Sequence, residues 1–180
     1  MKDNWIHDAM NTLGGYYAMG SERWTYSEYN MRRSWFFFEN EIVAMGSGIN
    51  ATDGISTYLE HFKVGDSDFQ TDIGNINIPC TSGSDENLGM VRWLYHDMTG
   101  YVFPEGEPVK AKGLSPGGYC QLYINHTTSN DEDFTCIVLP NRDKSYVTNY
   151  ASNPNVEILN RDNNIHAVRY KPDNVVGAVF

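Results

Sequence analysis

Residues 33–49 read Arg-Ser-Trp-Phe-Phe-Phe-Glu-Asn-Glu-Ile-Val-Ala-Met-Gly-Ser-Gly-Ile, and no other stretch narrows the fold as much. Four bulky aromatics in a row suit a pleated strand covered on both faces. Glu39 and Asn40 supply a short polar turn, and Asn tolerates the positive φ of tight hairpins. Residues 41–45 form the return strand, which Gly46-Ser47-Gly48 breaks. A hairpin apolar on both sides belongs inside a layered β structure.

Strand signals continue along the chain. Residues 55–63 alternate, predicting Ile55, Thr57, Leu59 and His61 on one face and Ser56, Tyr58, Glu60 and Phe62 on the other. Residues 64–89 read as a long excursion with a short strand near 73–78. Residues 91–96 and 101–103 flank a turn at 97–100. Pro104 and Pro108 bound a predicted loop, because proline withholds a ladder donor. Residues 119–125 and 134–139 are expected to pair as a hairpin, as are 156–160 and 165–170. Helical patterning is confined to residues 4–13 and 144–151. Short strands separated by turns predict an all-β, antiparallel β-sandwich.

The chain has 180 residues, 41% hydrophobic and 13% aromatic, which suits one folded domain. We expect residues 1–30 to be a lead-in or interface segment and residues 31–180 to be the sandwich. The apolar close at 175–180 leads us to expect a sandwich cut from a longer chain. A net charge of −10 argues against a nucleic-acid partner. No apolar run is long enough for a bilayer, so no membrane partner is expected, and no signal-peptide pattern is present in this chain. The three cysteines, Cys80, Cys120 and Cys136, lack CxxC spacing. Buried free thiols fit that odd count, with a Cys120–Cys136 bridge as the alternative.

The chemistry-bearing residues are dispersed. His96-Asp97 has the look of an oriented base, but its place at a turn favours a structural role. His61, His126 and His166 fall on different predicted strands without metal-site spacing, so no metal and no cofactor are expected. Trp24 and Tyr26 lie in a polar, loop-like stretch at 21–30. Their rings could stack on sugars or pack against a neighbouring domain.

The wording of residues 33–49 resembles the strand pair that opens the β region of polysaccharide lyase family 8, the hyaluronate, chondroitin and xanthan lyases. Trp93-Leu94-Tyr95-His96-Asp97-Met98-Thr99-Gly100-Tyr101-Val102-Phe103 resembles a second family segment. Leu122-Tyr123-Ile124-Asn125-His126, followed by Ile137-Val138-Leu139-Pro140-Asn141, resembles a third. The likeness covers roughly residues 30–180 and implies a supersandwich-like β domain. It implies a parent enzyme that cleaves a uronate-containing polysaccharide by β-elimination. It also implies a partner, a helical toroid domain that carries the catalytic residues and for which this chain has no room. No catalytic residue is therefore expected here, and the chain alone is expected to be inactive. Chondroitin lyases add a glutamate from the β region, and Ser56 falls at that position. Serine cannot replace a carboxylate, so Ser56 joins Trp24 and Tyr26 only as an expected substrate contact. The resemblance implies a secreted or periplasmic parent. The alternative function is a stand-alone carbohydrate-binding or structural module without catalysis.

Overall fold

A computed structural model describes residues 6–13, 17–26, 29–51, 55–63, 69–76, 83–114, 118–126 and 131–180, with backbone alone for residues 6–30, 51, 75 and 76. The chain runs β1 (Ile6–Leu13), β2 (Tyr17–Tyr26), β3 (Tyr29–Phe37), β4 (Ile42–Ala51) and β5 (Ile55–Lys63). It continues through β6 (Phe69–Thr71), β7 (Gly74–Ile76), β8 (Asp85–His96), β9 (Thr99–Leu114), β10 (Tyr119–His126) and β11 (Glu132–Pro140). Helix α1 (Lys144–Ser152) and strands β12 (Val156–Arg161), β13 (His166–Tyr170) and β14 (Val175–Val179) complete it. One sheet has the order β1-β2-β3-β4-β11-β9-β8-β6-β7, with β10 joined to β9 and β5 to β10. A second sheet has the order β12-β13-β14.

The long β8–β9 hairpin makes this a three-layer molecule. Its tip is a two-residue turn at Asp97 (φ 39°) and Met98 (φ 63°), the left-handed pair that matches strand twist. Near the tip, residues 99–102 pair with β11 in the central sheet. Beyond the corner, residues 109–114 pair instead with β10. Between those runs the register jumps from Trp93↔Val102 to Val91↔Glu107, so residues 103–106 bulge. Pro104 needs no donor there, and Gly106 takes φ +82° at little cost. One hairpin thus passes from the central sheet into a cover sheet of β5, β10 and the far halves of β9 and β8.

Two cores result. Between central and cover sheets pack Phe103, Leu94, Val109, Leu122, Ile124 and Phe134. On the opposite face Phe36, Val43, Ile137 and Leu139 meet Val147 and Tyr150 of α1 and Val168 and Tyr170 of β13. Alternation along β11 sends Phe134, Cys136 and Val138 one way and Ile137 and Leu139 the other. The helix seats where Gly100 leaves room, since a Cβ there would overlap Val147. Asp143 caps α1 by accepting the Tyr146 N–H at 2.8 Å.

The all-β antiparallel sandwich read from the sequence is the observed architecture, and the β3–β4 and β12–β13 hairpins and helix α1 stand where expected. Five local expectations give way. Residues 6–13 are strand β1, not helix, because pairing with β2 satisfies their backbone. The stretch at 21–26 is strand β2, paired with β3 along its length. The predicted loop at 104–108 remains strand, because its proline and glycine are absorbed by the corner bulge. Strands β10 and β11 exist but do not pair with each other: β10 lies between β5 and β9, and β11 between β4 and β9. Finally, Cys120 is disulfide-bonded, and among the described residues Cys136 is the buried free thiol.

Candidate functional site

The cover sheet is narrower than the central sheet. At its edge strand, β5, a trough of about 380 Å³ opens against β3, β4, β9 and β11. Trp35 and Phe37, two residues apart on β3, share its floor; Tyr58 and Leu59 form part of its rim, and Arg33 and Tyr101 add polar groups. Phe37 is 36% exposed although its neighbour Phe36 is 1% exposed, because only Phe36 faces the covered side.

Leu59 explains why β5 departs from simple alternation. The β5–β10 register shifts between Tyr58↔Tyr123 and Glu60↔Leu122, leaving Leu59 as an extra residue. The bulge turns Glu60 and Phe62 inward and His61 outward, opposite to the expected faces. Glu60 then accepts a hydrogen bond from His96 Nδ1 at 2.9 Å. Burial, followed by the charge of Glu60, pushes the Tyr101 phenol well above its ordinary pKa, so it stays protonated.

A second histidine chain borders the trough. Arg33 donates to the Thr57 hydroxyl at 3.2 Å, and Thr57 Oγ1 lies 2.9 Å from His126 Nε2. His126 Nδ1 faces Glu132 at 3.3 Å, so the proton sits on Nδ1 and Thr57 donates to Nε2. Burial lowers the His126 pKa despite the glutamate. His166 is pinned between sheets, with Nε2 2.8 Å from Ser47 Oγ and Nδ1 2.9 Å from Ser34 Oγ. Ser47 spends its one proton on the Asp162 carbonyl, so His166 Nε2–H donates to Ser47 and Ser34 donates to Nδ1. Burial holds His166 down at about 4, and neutral. These histidines are 0–2% exposed, so none offers a ring nitrogen to a polymeric substrate.

The expected contact residues are not brought together in one described cluster. Trp24 and Tyr26 lie on β2, opposite Met31 and Tyr29, and their side chains fall outside the described residues. Ser56 lies on β5 opposite Asn125, partly exposed at the end of the cover sheet. The Arg33–Thr57–His126–Glu132 chain was not foreseen. Its members are spread over 100 residues of sequence on β3, β5, β10 and β11, and the β5–β10 pairing together with the stacking of the two sheets unites them.

The chain is 28% identical to the xanthan lyase of Bacillus sp. (strain GL1), over 93% of its own length and 22% of that enzyme. It is 27% identical to chondroitinase-AC of Pedobacter heparinus, over 92% of its own length and 26% of that enzyme. A solved Paenibacillus xanthan lyase shares the fold with a TM-score of 0.79 at 24% identity, covering 95% of this chain and 20% of that one. The chain thus spans about a quarter or less of the length of the curated relatives it matches. Residues 10–118 match the profile described as polysaccharide lyase family 8, super-sandwich domain. That match covers more than half of the chain and takes in β2 to β9, and the chain belongs to polysaccharide lyase family 8 as its super-sandwich domain.

Proposed function

We propose that this domain serves an enzyme that cleaves a uronate-containing polysaccharide of hyaluronan, chondroitin or xanthan type by β-elimination. It supports a separate helical domain that holds the catalytic groups, and it shapes one wall of the cleft. Elimination needs a group to neutralise the uronate carboxylate, a base for the α proton and an acid for the leaving oxygen. The observation that carries the proposal is the burial of His96, His126 and His166, each committed to a neighbour within a family 8 domain. These three rings cannot serve a polymer as acid or base, and the proposal assigns that chemistry to the rest of the enzyme. Trp24, Tyr26 and Ser56 belong in this proposal to the glycan side of the domain. The open trough beside Trp35 and Phe37 receives the helical partner. A parent acting on extracellular polymers is exported, and a disulfide at Cys120 suits an oxidising compartment.

The test is to incubate the 180-residue chain with hyaluronan, chondroitin and xanthan and follow unsaturated uronate by its ultraviolet absorbance. No product is expected from the chain alone, and product is expected once the helical portion of the same enzyme is supplied. Unsaturated product from the chain alone would overturn the proposal.

A further inference from the structure

The cations of this chain are divided by use. Arg32, Arg33, Arg142, Arg161 and Arg169 all donate hydrogen bonds that join strands, turns or layers. Three of the six lysines, Lys63, Lys110 and Lys112, instead stand on the outer face of the cover sheet. Their orientation follows from the pleat: Val109, Ala111, Cys120 and Leu122 point inward with no exposure, so their neighbours point out. Among the described residues no ion pair engages these three lysines.

The face also carries rings and amides in register. Lys110 lies opposite Tyr123, which lies opposite Tyr58; Lys112 lies opposite Gln121, which lies opposite His61; Tyr119 lies opposite Lys63. Tyr58 and Tyr119 are 63% and 45% exposed, and neither is needed by a core. The Asp85 carboxylate sits opposite Lys112 and accepts the Tyr123 hydroxyl at 2.7 Å, which fixes that ring as backing for Tyr58. Three strands about 4.8 Å apart give a platform about 10 Å wide. Exposed aromatic faces suit the C–H faces of sugar rings, amides suit their hydroxyls, and unpaired ammonium groups suit carboxylates.

We propose that this outer face of the cover sheet is a binding surface for an anionic, uronate-bearing polysaccharide, held by Lys110, Lys112 and Lys63 with Tyr58 and Tyr119 as stacking rings. The ligand class rests on the lyase reading, whereas the face rests on its own residues. In a chain of net charge −10, a polyanion is repelled everywhere except at such a local concentration of cations. Binding is therefore weak for short oligosaccharides, stronger for long ones and sensitive to salt.

The experiment titrates the 180-residue chain with hyaluronan and chondroitin oligosaccharides, using an uncharged cellulose oligosaccharide for comparison. Saturable binding of the anionic chains is expected. The K110E/K112E variant is expected to bind about tenfold more weakly, since each exposed charge contact is worth up to ~1 kcal/mol and is reversed rather than removed. K144E/K171E changes the net charge equally at positions away from this face, and is expected to bind as the unmodified chain does. Tyr58→Ala is expected to weaken binding with unchanged thermal unfolding. Equal losses in the two double variants, undiminished binding by K110E/K112E, or no binding of either anionic glycan would overturn the proposal. Binding is read on this chain and elimination on the completed enzyme. A glycan-binding chain whose completed enzyme forms no unsaturated product would sink the lyase reading and leave the face standing.

Discussion

The two faces of the central sheet are covered in different ways. On one side lie α1 and the β12-β13-β14 sheet, which follow the central strands in sequence and dock against them. Directional bonds fix that docking. Arg32 donates to the Val179 carbonyl at 2.8 Å, His166 is held between Ser34 and Ser47, and Arg161 joins Thr135 to Glu105 and Asp133. Phe38 stacks on Tyr170 with ring centres 4.7 Å apart. On the other side the cover is a continuation of the same hairpin, folded over at the Pro104–Gly106 corner. Covalent continuity sets its position, the Arg33–Thr57 and His96–Glu60 hydrogen bonds tie it back to the central sheet, and it ends short enough to leave the trough. A docked layer depends on its polar pins for register, whereas a folded-over layer also gets register from its own strands.

The largest break in that comparison comes from Phe36 and Phe37, adjacent residues of similar volume on opposite faces. Phe36→Ala empties a filled site among Val43, Ile137 and Val168 and is expected to cost about 3–5 kcal/mol in urea unfolding. A loss under about 1 kcal/mol would mean that the docked layer is not packed against β3 as described.

How far the sequence foretold this difference depends on the range of the interaction. The β3–β4 hairpin was legible because aromatic content, turn residues and closing glycines all act within 17 residues. The helix at Lys144–Ser152 was legible from its short local pattern. The partners of β10 and β11 were not, since each strand's residues say "buried strand" without saying beside which neighbour. The bulge at Leu59 escaped detection because no glycine or proline marks it. The lysine face had a signal that went unused: Val109-Lys110-Ala111-Lys112 alternates cleanly, and period-two alternation puts both lysines on one side. Trp24 and Tyr26 read from sequence alone as loop aromatics, but their segment is strand β2.

The polar pins sharpen the comparison through pH, at a scale of about 2 kcal/mol per group. His166 is held at about 4, below its ordinary 6.5, first by burial and then by the charges of Arg32 and Arg161. Its folded form binds fewer protons than its unfolded form. Its stability is present above pH 6.5 and is lost as pH falls toward 4. Glu107 accepts the Thr135 N–H at 3.0 Å, and burial pushes it up to about 7 from 4.5. Its stability is present below pH 4.5 and is lost as pH rises through 7, and the buried Glu41 is shifted in the same direction. The opposed slopes flatten the stability profile of the unmodified chain between pH 4.5 and 6.5. Glu107→Gln keeps the oxygen that Thr135 needs and removes the carboxyl titration. Its stability relative to the unmodified chain is expected to improve from pH 5 to pH 8 by about 2 kcal/mol. A constant difference across that range would show that Glu107 does not titrate differently on folding.

The smallest effect is expected at Phe37, and its size matters because it measures what the trough lacks. The ring is 36% exposed on the floor beside Trp35, and among the described residues no layer covers it. Phe37→Ser therefore surrenders only part of the area a buried ring would, and is expected to cost about 1 kcal/mol or less. The same change should reduce any concentration-dependent association of the chain, because it removes apolar surface from an open patch. If the helical portion of the enzyme covers this trough, the identical substitution in the joined protein should cost visibly more than in the chain alone. An equal cost in both settings would mean that the partner sits elsewhere, and that Trp35 and Phe37 remain open to solvent in the complete enzyme.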